Sequence, residues 1–173
     1  MMGVVIEVDG FVLRPLCLDE DLGSYLHWMQ SPQRFPYIQS ARKTYSLGDL
    51  TEYIRETNSS KNTLQYGIFA RESREHIGNI KFHDIHFKNR SSFVGFLIGQ
   101  LEWQNRGVSG IVFDASSKIL MKEFGISLYL LGVDPSNAQG VRAYRKMGFI
   151  DSTTYQGVKE KRPMMLMANL IVS

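Results

Sequence analysis

Trp103-Gln104-Asn105-Arg106-Gly107-Val108-Ser109-Gly110 stands between an apolar run, Phe93 to Ile98, and a helical pattern, Ile111 to Phe124. The order strand, glycine-bearing turn, helix start is the physical recipe for an anion site. The first backbone N–H groups of a helix have no partner within it, and the helix dipole adds partial positive charge there. A phosphate suits such a terminus. Gly107 and Gly110 permit positive φ and a close approach of ligand to backbone. A plain strand–helix connection would also use such glycines, so the rest of the chain must decide.

Working toward the N-terminus, Ser91 to Gly99 reads as the strand entering this turn, after a turn at Lys88 to Arg90. Before it lie strands at Leu64 to Ala70 and His76 to Phe87, the second with imperfect alternation that predicts a bulge near Gly78-Asn79. Ser46 with Asp49 forms a capping box ahead of a helix whose apolar face is Leu50, Tyr53 and Ile54. An aromatic-bearing loop, Ser31 to Tyr45, precedes it. An earlier helix is expected to open at Asp19 and to bury Leu22, Tyr25, Leu26 and Met29. Val4 to Val8 and Phe11 to Arg14 flank Asp9-Gly10, a two-residue hairpin signal.

Toward the C-terminus, the helix from Ser109 to Phe124 ends at Gly125, and Ser127 to Val133 is a short apolar strand. A break at Asp134 to Asn137, a helix from Ala138 to Met147, and strands at Phe149 to Tyr155 and Met164 to Val172 complete the chain. The order ββααβββαβαββ is an α+β pattern on one sheet, a single domain over 1–173.

Bulk properties narrow the classes. The 173 residues are 43% hydrophobic and 21% charged, as in ordinary globular proteins. No apolar run approaches a membrane span, and Met1 to Asp9 lacks the basic region of a signal peptide. The only cysteine, Cys17, excludes an internal disulfide and suits a reducing, cytoplasmic setting; a small buried role is expected for it. Net charge +3 mildly favours an anionic ligand but does not imply nucleic acid. Lys159, Lys161 and Arg162, broken by Glu160, read as a solvated loop. No metal site is expected: His83 and His86 are three apart on a strand, and no cysteine set accompanies them. The Rossmann and Walker patterns are absent.

A second informative stretch runs from Val133 to Phe149. Asn137 follows a strand at a helix start, and Tyr144 lies seven residues on, about two helical turns, so both can face one cleft. Tyrosine there could donate a proton and asparagine could bond an amide; a cap and a core residue are the plainer alternatives.

Together the two stretches resemble the GNAT N-acetyltransferase family. That family's turn pattern, Gln/Arg-x-x-Gly-x-Gly/Ala, stands here as Gln104-Asn105-Arg106-Gly107-Val108-Ser109, and its later block as Asn137, Tyr144 and Gly148-Phe149. Leu13-Arg14-Pro15-Leu16 and Ile77-Gly78-Asn79-Ile80 are similar to the branch that acetylates ribosomal-protein N-termini and to amino-sugar acetyltransferases. The resemblance covers about 11 to 170. It implies a central mixed, mostly antiparallel twisted sheet of about six to seven strands with about four helices, splayed between the fourth and fifth core strands.

It further implies acetyl-coenzyme A as donor, with no metal. Backbone amides among Gln104, Asn105, Arg106, Gly107, Val108, Ser109 and Gly110 would hold the pyrophosphate. Phe96, Leu97 and Ile98 would pair with the pantetheine arm, and Asn137 would bond it. Tyr144 would protonate the leaving thiolate in a direct transfer to an amine, with an N–H near Ile98 stabilising the oxyanion.

The chain departs from the pattern at Phe93, where related branches often carry Glu, and no acid lies between Ser91 and Gly99. Glu102, His83, Asp84 and His86 are other base candidates, with water as the remaining one. Ser109 replaces the usual Gly or Ala, and Gly140 stands where Ser or Ala often follows the Asn. The acceptor, a peptide N-terminal amine, an amino sugar or a small amine, is expected to meet His27, Trp28, Arg34, Phe35, Tyr37 and His83. A homodimer through the C-terminal strands is a further expectation. The alternative function is a GNAT-like module that binds coenzyme A without transferring acyl groups.

Overall fold

The computed structural model describes residues 4–20, 22–38, 44–155 and 164–171. They form strands β1 (Ile6–Val8), β2 (Phe11–Arg14), β3 (Leu64–Ala70), β4 (His76–His86), β5 (Ser91–Ile98), β6 (Leu128–Val133), β7 (Ile150–Tyr155) and β8 (Met164–Leu170). The helices are α1 (Gly23–Met29), α2 (Leu47–Ser59), α3 (Val108–Phe124) and α4 (Ala138–Lys146). The predicted order of elements stands. The sheet has eight strands rather than six to seven, in the order β1-β2-β3-β4-β5-β6-β8-β7. The short hairpin strand β1 pairs fully with β2 and so extends the edge.

All neighbours are antiparallel except β5 and β6. That parallel pair is joined only at Ser91↔Leu128, Ser92↔Tyr129 and Phe93↔Leu130. Beyond Phe93 the strands diverge, and the sheet opens into a V. This is the expected splay, counted here between the fifth and sixth strands because β1 adds one. The bulge also appears: Ile68 pairs with Gly78 but Phe69 with His76, leaving Ile77 as the extra residue.

Each face of the sheet has its own core. Helix α3 covers one face, with Val112, Phe113 and Leu120 buried against Leu13, Ile68, Ile80, Phe82 and Tyr129. Helices α1 and α2 cover the other, where Leu22, Tyr25, Trp28, Met29, Leu50 and Ile54 pack on Phe69. Strand β3 is therefore buried along its whole length, as expected of a strand covered on both faces.

Two expectations fail near the N-terminus. Helix α1 starts at Gly23 and is not capped by Asp19. Glu20, in the same segment, instead bonds the Arg14 guanidinium and the Cys17 amide, which holds 17–20 in a turn. Cys17 is exposed rather than buried. Partial desolvation and the neighbouring Glu20 raise its thiol pKa, which disfavours the reactive thiolate. The Ser46–Asp49 capping box forms as read. The basic loop 159–162 and residues 39–43 lie outside the described residues.

Candidate active site

The V between β5 and β6 is a cleft of about 1200 Å³. Its edges follow from backbone alternation. The Gly99 amide bonds the Ile77 carbonyl at 2.9 Å, so Gly99 faces β4 and Ile98 faces the gap. Phe96 faces the same way. The bulge thus has a purpose, since the one Ile77 carbonyl receives both the Gly99 and Gln100 amides and ties off the end of β5. The Ile98 carbonyl is taken by Gln104 Nε2 at 2.8 Å. The Ile98 amide and both Phe96 groups are left on an open strand edge, where an extended ligand can pair.

At the wide end, Gly107 sits at φ 78° just before α3. A Cβ built there meets no atom within 4 Å, so the turn stands against open space. Helix α3 begins at Val108, one residue earlier than predicted. The Gly110 and Ile111 amides bend back to the Gly107 carbonyl, at 2.9 and 3.2 Å. Gly110 is thus helical, with its amide engaged by the turn, and it lines the cleft beside Val108 and Ser109. The Val108 and Ser109 amides precede these bonds and lie on the cleft wall. Gln104, Asn105 and Gly107 line the cleft as well, whereas Arg106 does not; its guanidinium lies 5.7 Å over the Trp103 ring.

Tyr144 projects from α4 into the cleft. Its ring packs on Phe96 at 5.9 Å and on Phe149 at 6.2 Å. Burial raises its hydroxyl pKa above the ordinary value, so it keeps its proton at neutral pH. Asn137 lines the same wall, and it is also a cap: Oδ1 accepts the Gly140 amide at 2.9 Å. A Cβ on residue 140 would lie 2.6 Å from Asn137 Nδ2. Gly140 therefore makes room for this cap, rather than merely weakening the helix start.

Two side-chain bridges cross the cleft. Gln139 Nε2 donates to Asn105 Oδ1, and the Tyr37 hydroxyl donates to the Ser136 carbonyl at 3.4 Å. Leu131 to Val133 of β6, the strand expected to splay from β5, line the cleft, as do Gln139, Trp103 and Phe113, which the sequence reading did not assign to the site. Only Trp103 carried a signal, as an aromatic inside the glycine-turn stretch. Gln139 and Phe113 depend on how α4 and α3 are placed.

The acceptor candidates divide. Arg34, Phe35 and Tyr37 line the cleft. Trp28 is core, 2% exposed, and packs beneath Gly99. His83 lies outside the lining, paired with Asp84 and stacked on Phe93. The four base candidates Glu102, His83, Asp84 and His86 are all absent from the wall. The carboxylates that do line it are Asp114, ion-paired with Lys118, and Asp134, which accepts from Ser136.

The profile of the acetyltransferase (GNAT) domain matches residues 11–150. The chain belongs to the GNAT acetyltransferase family. The expectation of an acyltransferase stands with it. The uncharacterized N-acetyltransferase YoaA of Bacillus subtilis (strain 168) is 24% identical over 150 residues, covering 84% of this chain and 82% of YoaA. Solved GNAT structures share the fold. RimL, a ribosomal L7/L12 alpha-N-protein acetyltransferase in complex with coenzyme A, superposes with TM-score 0.85 at 13% identity, covering 97% of this chain and 98% of that one. The microcin C7 self-immunity acetyltransferase MccE, in complex with acetyl-CoA and AMP, gives 0.82 at 13%, covering 94% and 93%. A spermidine N-acetyltransferase from Vibrio cholerae, in complex with CoA and spermine, gives 0.78 at 17%, covering 93% and 95%. No helix among the described residues is long and apolar enough to cross a membrane.

Proposed function

We propose that this GNAT protein moves an acetyl group from acetyl-coenzyme A to a primary amine by direct attack in a ternary complex. The observation that carries the reading is Tyr144, held protonated in the V beside an open strand edge and a helix start. Val108 and Ser109 offer their amides to the pyrophosphate across the open space at Gly107. Phe96 and Ile98 offer the unpaired edge of β5 to the pantetheine amides. The Ile98 amide serves the oxyanion that develops on the thioester carbonyl.

Acetyl-coenzyme A supplies an activated acyl group when bound. The amine nitrogen forms the new C–N bond as the C–S bond breaks. Tyr144 gives its proton to the departing sulfur and recovers one through water, which also takes the amine's surplus proton, because the lining carboxylates are already engaged. The solved relatives that hold coenzyme A or acetyl-CoA support the donor, and their acceptors, a protein N-terminus and a polyamine, support an amine without choosing it.

Calorimetric titration with acetyl-coenzyme A, with NADH and ATP as controls, tests the cradle. Selective micromolar binding followed by amine-dependent release of free thiol is the expected result. Failure to bind acetyl-coenzyme A would remove the reading.

A further inference from the structure

Arg34, in the segment after α1, brings a positive charge to the cleft wall; Arg142 and Lys146 of α4 line it from the other side, and Lys81 stands outside the lining. Arg34 lines the cleft beside the end of β5, with Nη2 3.5 Å from the Gly99 carbonyl and Nη1 3.2 Å from His27 Nε2. It therefore stands one residue past Ile98, next to the reaction centre. Lys81 lies on the α1/α2 face of the sheet as the cross-strand partner of Gly95. Its ammonium donates to the Tyr53 hydroxyl at 2.9 Å and sits 4.8 Å over that ring. Tyr53 in turn donates to the buried Gln65 at 2.7 Å.

Among the described residues, neither Arg34 nor Lys81 belongs to an ion pair. Arg14, on the same face, is neutralised by Glu20. His76 is half-buried and bonded at Nε2 to the Gly78 carbonyl and Asn79 Oδ1. The carboxylates of the cleft belong to α3 and to the segment after β6, on the other side of the V. A Cβ at Gly95 would meet nothing within 4 Å, so the sheet surface is open there.

We propose that the acceptor is a primary amine carrying a carboxylate or phosphate close to the amine, and that Arg34 is the residue that binds this anionic group. This rests on the acetyltransferase reading above. The guanidinium is a planar fork suited to two parallel bonds to carboxylate or phosphate, and its contacts with the Gly99 carbonyl and the His27 ring place it at the end of β5. The same unneutralised charge disfavours an acceptor that brings further ammonium groups, because like charges at close range destabilise the protonated form. A polyamine is thus the acceptor this wall is least suited to.

The test uses the full chain with acetyl-coenzyme A and follows free thiol. Acceptors are matched pairs, glycine against glycinamide and phosphoethanolamine against ethanolamine, with spermidine alongside. The first pair reports a carboxylate and the second a phosphate. The expected result is a preference of roughly 10- to 100-fold in kcat/KM for the anionic member of one pair, the range of a charge-assisted hydrogen bond. Spermidine should be the poorest acceptor. Arg34→Gln should collapse that preference, mainly by raising KM for the anionic member, and Arg34→Lys should restore part of it. Calorimetric binding of acetyl-coenzyme A to each variant reports that the fold is retained. Equal rates within both pairs, a preference for spermidine, or an equal rise of both KM values in Arg34→Gln would overturn the proposal while leaving the transferase intact. No thiol release with any amine would overturn both.

Discussion

At one end of the cleft, the consecutive residues Gln104 to Ser109 turn the chain from β5 into α3 and present two amides to open space. At the other end, Arg34 meets Gly99 across 65 residues and Tyr37 meets Ser136 across 99. The first end is local: its shape is written in one φ value and one helix start. The second exists only because α1 packs on the sheet and β6 diverges from β5. A local site tolerates change elsewhere in the chain, whereas an assembled one fails whenever its supports shift.

The largest effect that sharpens this contrast is expected at the point where the two ends meet. Tyr144→Phe should lower kcat by roughly 100- to 10,000-fold, the range for a lost general acid, with acetyl-coenzyme A affinity little changed. Single-turnover kinetics beside calorimetry would separate the two, and an unaltered rate would remove Tyr144 from the acid role.

Gly99→Ala probes the assembled end. The added Cβ would lie 2.0 Å from Trp28 Cδ2, in a buried contact with no room to yield. A loss of about 1–3 kcal/mol is expected from overpacking, read as a lower urea midpoint. An unchanged midpoint would show that the α1 contact is not tight.

The local end predicts a smaller and opposite pair. Gly107→Ala places a side chain at φ 78° and should cost about 1–2 kcal/mol, while no protein atom opposes it. Gly110→Ala, in a helical position with Met147 Cγ at an ordinary 3.8 Å, should gain up to about 1 kcal/mol. Equal shifts in the two variants would break the assignment of the turn.

The smallest effect is in pH. Burial holds the His76 pKa below its usual 6.5. The unfolded imidazole binds a proton that the folded one refuses, so stability is full above pH 6.5 and declines as the pH falls below it. Urea midpoints at pH 7.5 and 5.5 should show this slope, and His76→Gln should reduce it.

Particular residues show how far the sequence reached. The Ser46–Asp49 box, the Asp9-Gly10 hairpin and the Gly125 helix end were legible because each is satisfied by neighbours within a few positions. The bulge was legible as broken alternation, but its use, tying Gly99 and Gln100 to one carbonyl, was not. Asp19 misled because Glu20 found a stronger partner in Arg14, on a strand that composition could not place beside it. Trp28 looked like an acceptor residue by its position ahead of the loop, yet the contact with Gly99 makes it core.

The sequence by itself determined the element order, the glycine turn, the helix that follows it and the Asn137–Tyr144 pairing on one helix, because hydrogen-bonding periodicity and backbone sterics act over short separations. Only the tertiary structure decided that Ile98 faces the gap, that His83 stands outside it, and that Arg34 reaches the mouth of the cleft with no carboxylate partner among the described residues. Those outcomes depend on where strands part and which charges meet, and such contacts join residues that no local pattern connects.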